Sequence, residues 1–265
     1  MIDKLRRLDT FARTGWFARG VVYCLLALIA LTGANASEAS PEGVFRAVYN
    51  MPGGPVLLVL LAVGVALYGA YRLYGAALDS EGQGDSAKGI AIRIGYAGSG
   101  IAHFALAYVA VRLAVYRVDG DSDMEQAAAG MMLNLPLGGS VLGAVGLCFL
   151  AAGAHQAIKA WRADFTKDYA LSAPDWVVPV GQVGLAARAV VFSVIGLSLL
   201  QAGWSGSAGA VKGLGDALSS LNEHPDAYLV VAAGLFLFGI QSFFDARWRH
   251  ILDEDMIARL KASVS

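Results

Sequence analysis

Apolar residues gather along this chain in six long runs: Val21–Leu31, Val56–Ala70, Gly100–Val111, Val141–Ala154, Ala189–Leu200 and Ala227–Ile240. None alternates as a half-buried strand does. With its flanks, each can reach the ~20 residues that a membrane-spanning helix needs. The pattern predicts helices at roughly 14–33, 55–77, 93–116, 138–160, 181–203 and 226–248. Lipid offers backbone amides no partners, so such spans must satisfy their own hydrogen bonds, as helices do. Three weakly amphipathic stretches, "EGVFRAVYN", "QAAAGMMLN" and "LGDALSSLN", each fall between two spans. They predict short surface helices of two or three turns, ended before Pro or Gly.

The odd-numbered spans repeat one another. "RTGWFARGVVYCLLALIAL" from Arg13, "RIGYAGSGIAHFALAYVAV" from Arg93 and "QVGLAARAVVFSVIGLSLL" from Gln182 align without a gap. Gly15, Gly95 and Gly184 coincide, as do Arg19, Ser99 and Arg188, then Gly20, Gly100 and Ala189, then Tyr23, His103 and Phe192. The even spans open on Asn50, Asn134 and Asn222 and share Gly69, Gly153 and Gly239. The chain therefore reads as one membrane domain of three two-helix repeats, at about 13–79, 93–164 and 181–249, with a cytoplasmic tail at 250–265. Two spans per copy give every copy the same orientation, so the copies are related by an axis along the membrane normal. The expected architecture is an all-α, polytopic bundle of six transmembrane helices, three tandem hairpins with pseudo-threefold symmetry. The odd helices, with the more regular motif, are expected to line the axis.

The glycine–arginine pattern of the odd helices, with a hairpin tail such as "FGIQSFFDARWRHI", resembles the bacterial domain-of-unknown-function 1206 (DUF1206) family. That family is described as tandem two-helix membrane repeats, usually three. The resemblance covers essentially the whole chain and is best at the tail of the third repeat. The second repeat departs most: Ser99 replaces the arginine, and Lys159 lies near where the third repeat has Asp245. The resemblance implies fold and location, and supplies no mechanism.

The repeats also decide how the N-terminus is read. Lys4, Arg6 and Arg7, the apolar run after them, and Ala34-Asn35-Ala36 together mimic a secretory signal peptide. The same helix recurs twice deep in the chain, so it is expected to be retained as the first third of the architecture.

Composition agrees with a membrane protein. The chain is 57% hydrophobic and 15% charged, where a soluble domain carries roughly 45–50% apolar and about 25% charged residues. A net charge of −1 gives no reason to expect nucleic-acid binding. With the N-terminus inside, nearly all basic residues fall on the cytoplasmic side and only Arg46, Arg112, Arg117 and Lys212 on the other. Glu38, Glu42, Asp119, Asp121, Asp123, Glu125, Asp216, Glu223 and Asp226 fall outside. Trp16, Trp161, Trp176 and Trp248 are expected at the inner interface, Trp204 and Tyr228 at the outer one. This orientation puts both termini in the cytoplasm of a bacterium, with the protein in its inner (plasma) membrane.

Residues four apart share a helix face, so Gly15, Arg19 and Tyr23 form one stripe, Gly95, Ser99 and His103 a second, and Gly184, Arg188 and Phe192 a third. Gly15, Gly20, Gly69, Gly95, Gly100, Gly153, Gly184 and Gly239 are expected to set helix crossings. Arg19 and Arg188 lie one to two turns inside the membrane. A charge at the bilayer centre costs about 2.5–3.5 kcal/mol on insertion scales, and less near the interface, where it can snorkel. One reading pairs these arginines with carbonyls, with Asp245 or with lipid phosphates at the rim. The other has Arg19, Arg188, Ser99, His103 and Tyr23 contact a ligand, preferentially an anion, near the axis. His103 sits near mid-span, with Tyr23 or His155 as a possible partner. Gln156, Lys159, Gln241 and Asp245 read as a polar rim at the inner ends of the even helices.

Other chemistry is thin. Cys24 and Cys148 lack metal-type spacing, "GYAGSG" follows no strand, and the acidic run at 119–125 lacks a calcium loop's ligand count. No catalytic constellation appears, so no enzyme, metal or cofactor is expected. Two functional classes remain: a structural, lipid-binding or partner-binding bundle that meets anionic headgroups at the cytoplasmic face, and a small channel or carrier for ions or small solutes.

Overall fold

The computed structural model describes residues 2–32, 38–117 and 124–250. The small-residue triplet at 34–36, the acids Asp119, Asp121 and Asp123, and the tail after His250 lie outside the described residues. The chain folds as α1 (Ile2–Leu31), α2 (Pro41–Tyr49), α3 (Gly54–Leu78), α4 (Ala87–Tyr116), α5 (Met124–Leu133), α6 (Gly138–Arg162), α7 (Val177–Ser205), α8 (Leu214–Ser219) and α9 (Pro225–Trp248). Six of these, α1, α3, α4, α6, α7 and α9, are long and apolar enough to cross a membrane. Together they make an all-α, polytopic membrane protein.

Local chemistry explains the element ends. Ser40 caps α2 by accepting from the Gly43 amide at 3.1 Å, with Pro41 in the first turn. Ser86 caps α4 in the same way, accepting from Gly89 at 3.1 Å. The chain turns sharply between α2 and α3, where Gly53 takes φ 73°, and between α5 and α6, where Leu137 takes φ 63°. The first residues of α3 and α6, Gly54 and Gly138, lie so close to the carbonyl oxygens of Tyr49 and Met132 that a side chain would collide there.

The spans pack as an arc in the order α4–α3–α1–α9–α7–α6. At its middle, α1 and α9 are the best covered; at its ends, α4 and α6 are the least. Neighbouring repeats meet at the same crossing three times. Gly20 of α1 approaches Gly239 of α9 so closely that a Cβ would lie 3.0 Å from its carbonyl oxygen. The same holds for Gly69 against Gly100, at 3.0 Å, and for Gly153 against Ala189, at 3.1 Å.

Packing within the hairpins is unequal. In the first, Gly15 lies against the Tyr68 backbone and Gly64 against Ala18; in the third, Gly184 lies against the Phe238 backbone and Gly234 against Ala187. The counterparts in the middle hairpin are Gly95, Gly98 and Cys148. Gly95 and Gly98 face no heavy atom within 4 Å, and Cys148 is exposed. α4 and α6 do not pack on each other as the helices of the other hairpins do. The equivalence of the three repeats in sequence is thus not carried through to their packing, and the arc is open between α4 and α6.

The short helices follow the same division. Val44 and Phe45 of α2 and Ala217 and Leu218 of α8 are fully buried in the main core, closing the bundle at the end opposite the termini. α5 lies more on the surface, with Met131 75% exposed.

Candidate functional site

Arg19 projects from the buried face of α1 into a cage built by three helices. Its Nε donates to Ser242 Oγ at 3.0 Å, Nη1 to Tyr68 Oη at 2.9 Å and Nη2 to Asp245 Oδ2 at 3.2 Å. Trp16, one turn earlier, lies under the guanidinium at 4.0 Å from its ring centroid. Trp16 is only 3% exposed, so its ring packs inside the bundle. Three of the five N–H donors of Arg19 are thus engaged inside the bundle.

Asp245 is the hub below it. Its Oδ1 accepts from Tyr169 Oη at 2.7 Å and lies 3.9 Å from Arg249. Arg249 follows α9 and reaches Asp168 at 3.0 Å and Glu81 at 3.6 Å. It is held there by the chain running antiparallel to the loop after α6, with an Ala170–Trp248 bond of 2.8 Å and a His250–Asp168 bond of 2.7 Å. Glu81 comes from the α3–α4 loop, turned inward to accept from Tyr96 at 2.6 Å, Tyr71 at 3.0 Å and Arg72 at 3.4 Å. Burial alone would raise the Glu81 carboxyl. Arg249, Arg72 and the two tyrosine hydrogen bonds outweigh it and hold the group at about 2, so it stays ionised. Of the polar residues expected at the inner ends of the even helices, Gln156, Gln241 and Asp245 are buried, 8%, 3% and 3% exposed, and Gln156 and Asp245 are hydrogen-bonded within the bundle.

Arg188 has the same place in the third repeat and different company. Its Nη1 donates to Gln156 Oε1 at 3.2 Å, and its guanidinium lies 4.5 Å from the Phe192 ring and 4.8 Å from that of Phe238. Its Nε is buried without a partner, and among the described residues it forms no ion pair. Arg72 Nε is likewise buried and unpartnered.

His103 stands beside this group. Its ring is 4.6 Å from that of Tyr68, and Nδ1 lies 2.7 Å from the Ser99 carbonyl oxygen. A carbonyl only accepts, so Nδ1 carries a proton. The expected partners Tyr23 and His155 are not those found. Tyr23 packs edge-on against Phe238 at 4.8 Å, while His155 is exposed on α6, with Lys159, Lys88 and Asp164 as its charged neighbours. Ser99 contributes its carbonyl rather than its hydroxyl.

The interior draws on both helix sets: Arg19, His103 and Arg188 from odd spans, Tyr68, Arg72, Gln156 and Asp245 from even ones. Arg19, Arg72, Arg188, Arg249 and half-buried Lys159 stand there against the three carboxylates Glu81, Asp168 and Asp245. Such an arrangement can hold a negative charge. Sequence reasoning did not single out Tyr68, Glu81, Asp168 or Arg249 for this centre. The only signal for Glu81 was a carboxylate in a loop, where solvation is the ordinary expectation. Among the described residues, no group of His, Cys, Asp and Glu could hold a metal ion.

Fold and site together define a polytopic helical membrane protein of repeated hairpins with a charged interior. The family model for Domain of Unknown Function (DUF1206) matches three segments, residues 14–79, 94–163 and 183–249, as three tandem repeats. The chain belongs to that family. It is 30% identical over 254 residues to "Uncharacterized protein YxxB" of Bacillus subtilis (strain 168), a match covering 92% of each chain. No solved structure matches it.

Proposed function

We propose that the protein binds a single anionic bilayer lipid, which enters sideways between α4 and α6 and places its head toward the cationic interior. The observation that carries this reading is the unclosed middle hairpin. Gly95 and Gly98 are bare where their counterparts are packed, and Arg188 stands nearby without a carboxylate. A strip of small residues on a membrane-facing helix leaves room for an acyl chain, and the unneutralised guanidinium favours an anionic head. The basic residues support an orientation with both termini in the cytoplasm of a bacterial inner membrane, with α1 retained as a packed member of the arc. The site then belongs to the cytoplasmic leaflet.

The test fills the opening. In Gly95→Phe/Gly98→Phe protein purified in mild detergent, native mass spectrometry should show lipid lost relative to wild type, at unchanged thermal stability. Wild-type protein that carries no lipid, and takes none up from anionic nanodiscs, refutes the reading. A second reading, a carrier for a small anion, draws on the same interior. Anion flux in proteoliposomes that disappears in Arg188→Ala would favour it. A C-terminal reporter active only outside the cytoplasm should be silent, and strong activity would overturn the orientation.

A further inference from the structure

We infer that a phosphate group, under the reading above the phosphate of the lipid head, binds between Arg188 and Lys159 and takes the part that Asp245 plays beside Arg19. The inference comes from overlaying two crossings of the same kind. Where α1 meets α9 at Gly20 and Gly239, Arg19 reaches Ser242 and, three residues on, Asp245. Where α7 meets α6 at Ala189 and Gly153, Arg188 reaches Gln156, the counterpart of Ser242. Three residues on from Gln156 stands Lys159, so the position that supplies an anion in one crossing supplies a cation in the other.

The second crossing holds donors in excess. Arg188 Nε is buried and unpartnered. Lys159 is half-buried and forms no ion pair among the described residues; the carboxylates it senses, Asp168, Glu81 and Asp245, are each engaged by arginines. Gln156, 8% exposed, spends its carbonyl oxygen on Arg188, which leaves its amide NH2 to donate. The register thus places a guanidinium, an ammonium and an amide NH2 at one crossing, and among the described residues neither cation has a carboxylate within ion-pair distance. Two cations unneutralised in the low-dielectric interior are unfavourable unless an anion joins them. A group with several oxygens can take all three donors at once, which a single carboxylate of the chain does not do here.

The decisive variant is Lys159→Asp, which installs the counter-ion that the α1–α9 crossing already has in Asp245. Bound phosphatidylglycerol, counted by native mass spectrometry from nanodiscs, should fall by at least about tenfold, equivalent to ~1.4 kcal/mol. In lipid-free detergent the same variant should melt above wild type, which shows that it is folded and that the new carboxylate meets Arg188. Phosphatidylcholine nanodiscs and inorganic phosphate serve as the other arms. A thermal shift with inorganic phosphate that Lys159→Asp abolishes assigns the site to phosphate itself. A response to phosphatidylglycerol alone assigns it to the lipid head. Wild-type lipid occupancy in Lys159→Asp overturns the inference. If that lipid is still lost when Gly95 and Gly98 are filled, the lateral-entry reading stands without it.

Discussion

Methionine in place of Arg19 and methionine in place of Arg188 should differ in cost, although the two arginines occupy equivalent positions in their repeats. Arg19 makes three hydrogen bonds and the ion pair with Asp245, whose carboxylate is 3% exposed. Removing one partner of such a pair leaves a buried charge, at a cost of about 3–5 kcal/mol. Asp245 keeps the Tyr169 hydrogen bond and Arg249 at 3.9 Å, which places the loss near the lower end of that range. Arg188→Met removes one hydrogen bond to a neutral amide, worth about 1 kcal/mol, and two ring contacts worth roughly 0.5–1 kcal/mol each. It also relieves the burial of a cation with no counter-ion, a term of order 2.5–3.5 kcal/mol on insertion scales. The net change should fall within ~1 kcal/mol of zero, or be stabilising. Unfolding of lipid-free protein in mixed detergent micelles, followed by circular dichroism, reads both. Arg19→Met/Asp245→Leu should recover most of the first loss, since replacing a whole buried pair by apolar groups is often neutral. Equal losses at the two arginines, or a larger one at Arg188, would refute the claim that only Arg19 is internally neutralised.

Three further outcomes follow from the same structure. Leucine at Gly15 or Gly184 should destabilise by about 3 kcal/mol or more, because a Cβ there would lie 2.6 or 2.7 Å from the facing backbone, whereas Gly95→Ala should be neutral or stabilising by up to ~1 kcal/mol; unfolding midpoints decide. Glu81 has a folded pKa of about 2 against an ordinary 4.5, so its stabilisation is present above pH 4.5 and lost as pH falls through 2. The magnitude is about 3 kcal/mol, and Glu81→Gln should flatten the acid limb of a stability–pH profile while lowering stability at neutral pH. Cys148 is exposed while the Cys24 sulfur lies against Gly239, so a membrane-permeant maleimide should label Cys148 first; equal rates would contradict the packing of α1 on α9.

The sequence by itself determined the six spans, the three hairpins and the glycine crossings between them. Hydropathy and helical spacing are local properties, and a repeated local pattern needs no partner to be recognised. Gly20, Gly69, Gly100, Gly153 and Gly239 all sit where close helix approach requires them. Tertiary structure decided which of two equivalent arginines is neutralised, because Asp245 lies 226 residues from Arg19 and a lysine holds the matching place near Arg188. It decided that Glu81 turns inward, that Trp16 stacks under a guanidinium, and that His103 leans on Tyr68. It also left the middle hairpin open. Gly95 carries the same residue and spacing as Gly15 and Gly184, but whether a glycine is covered depends on the helix opposite. That helix, α6, packs on α7 instead of closing onto α4.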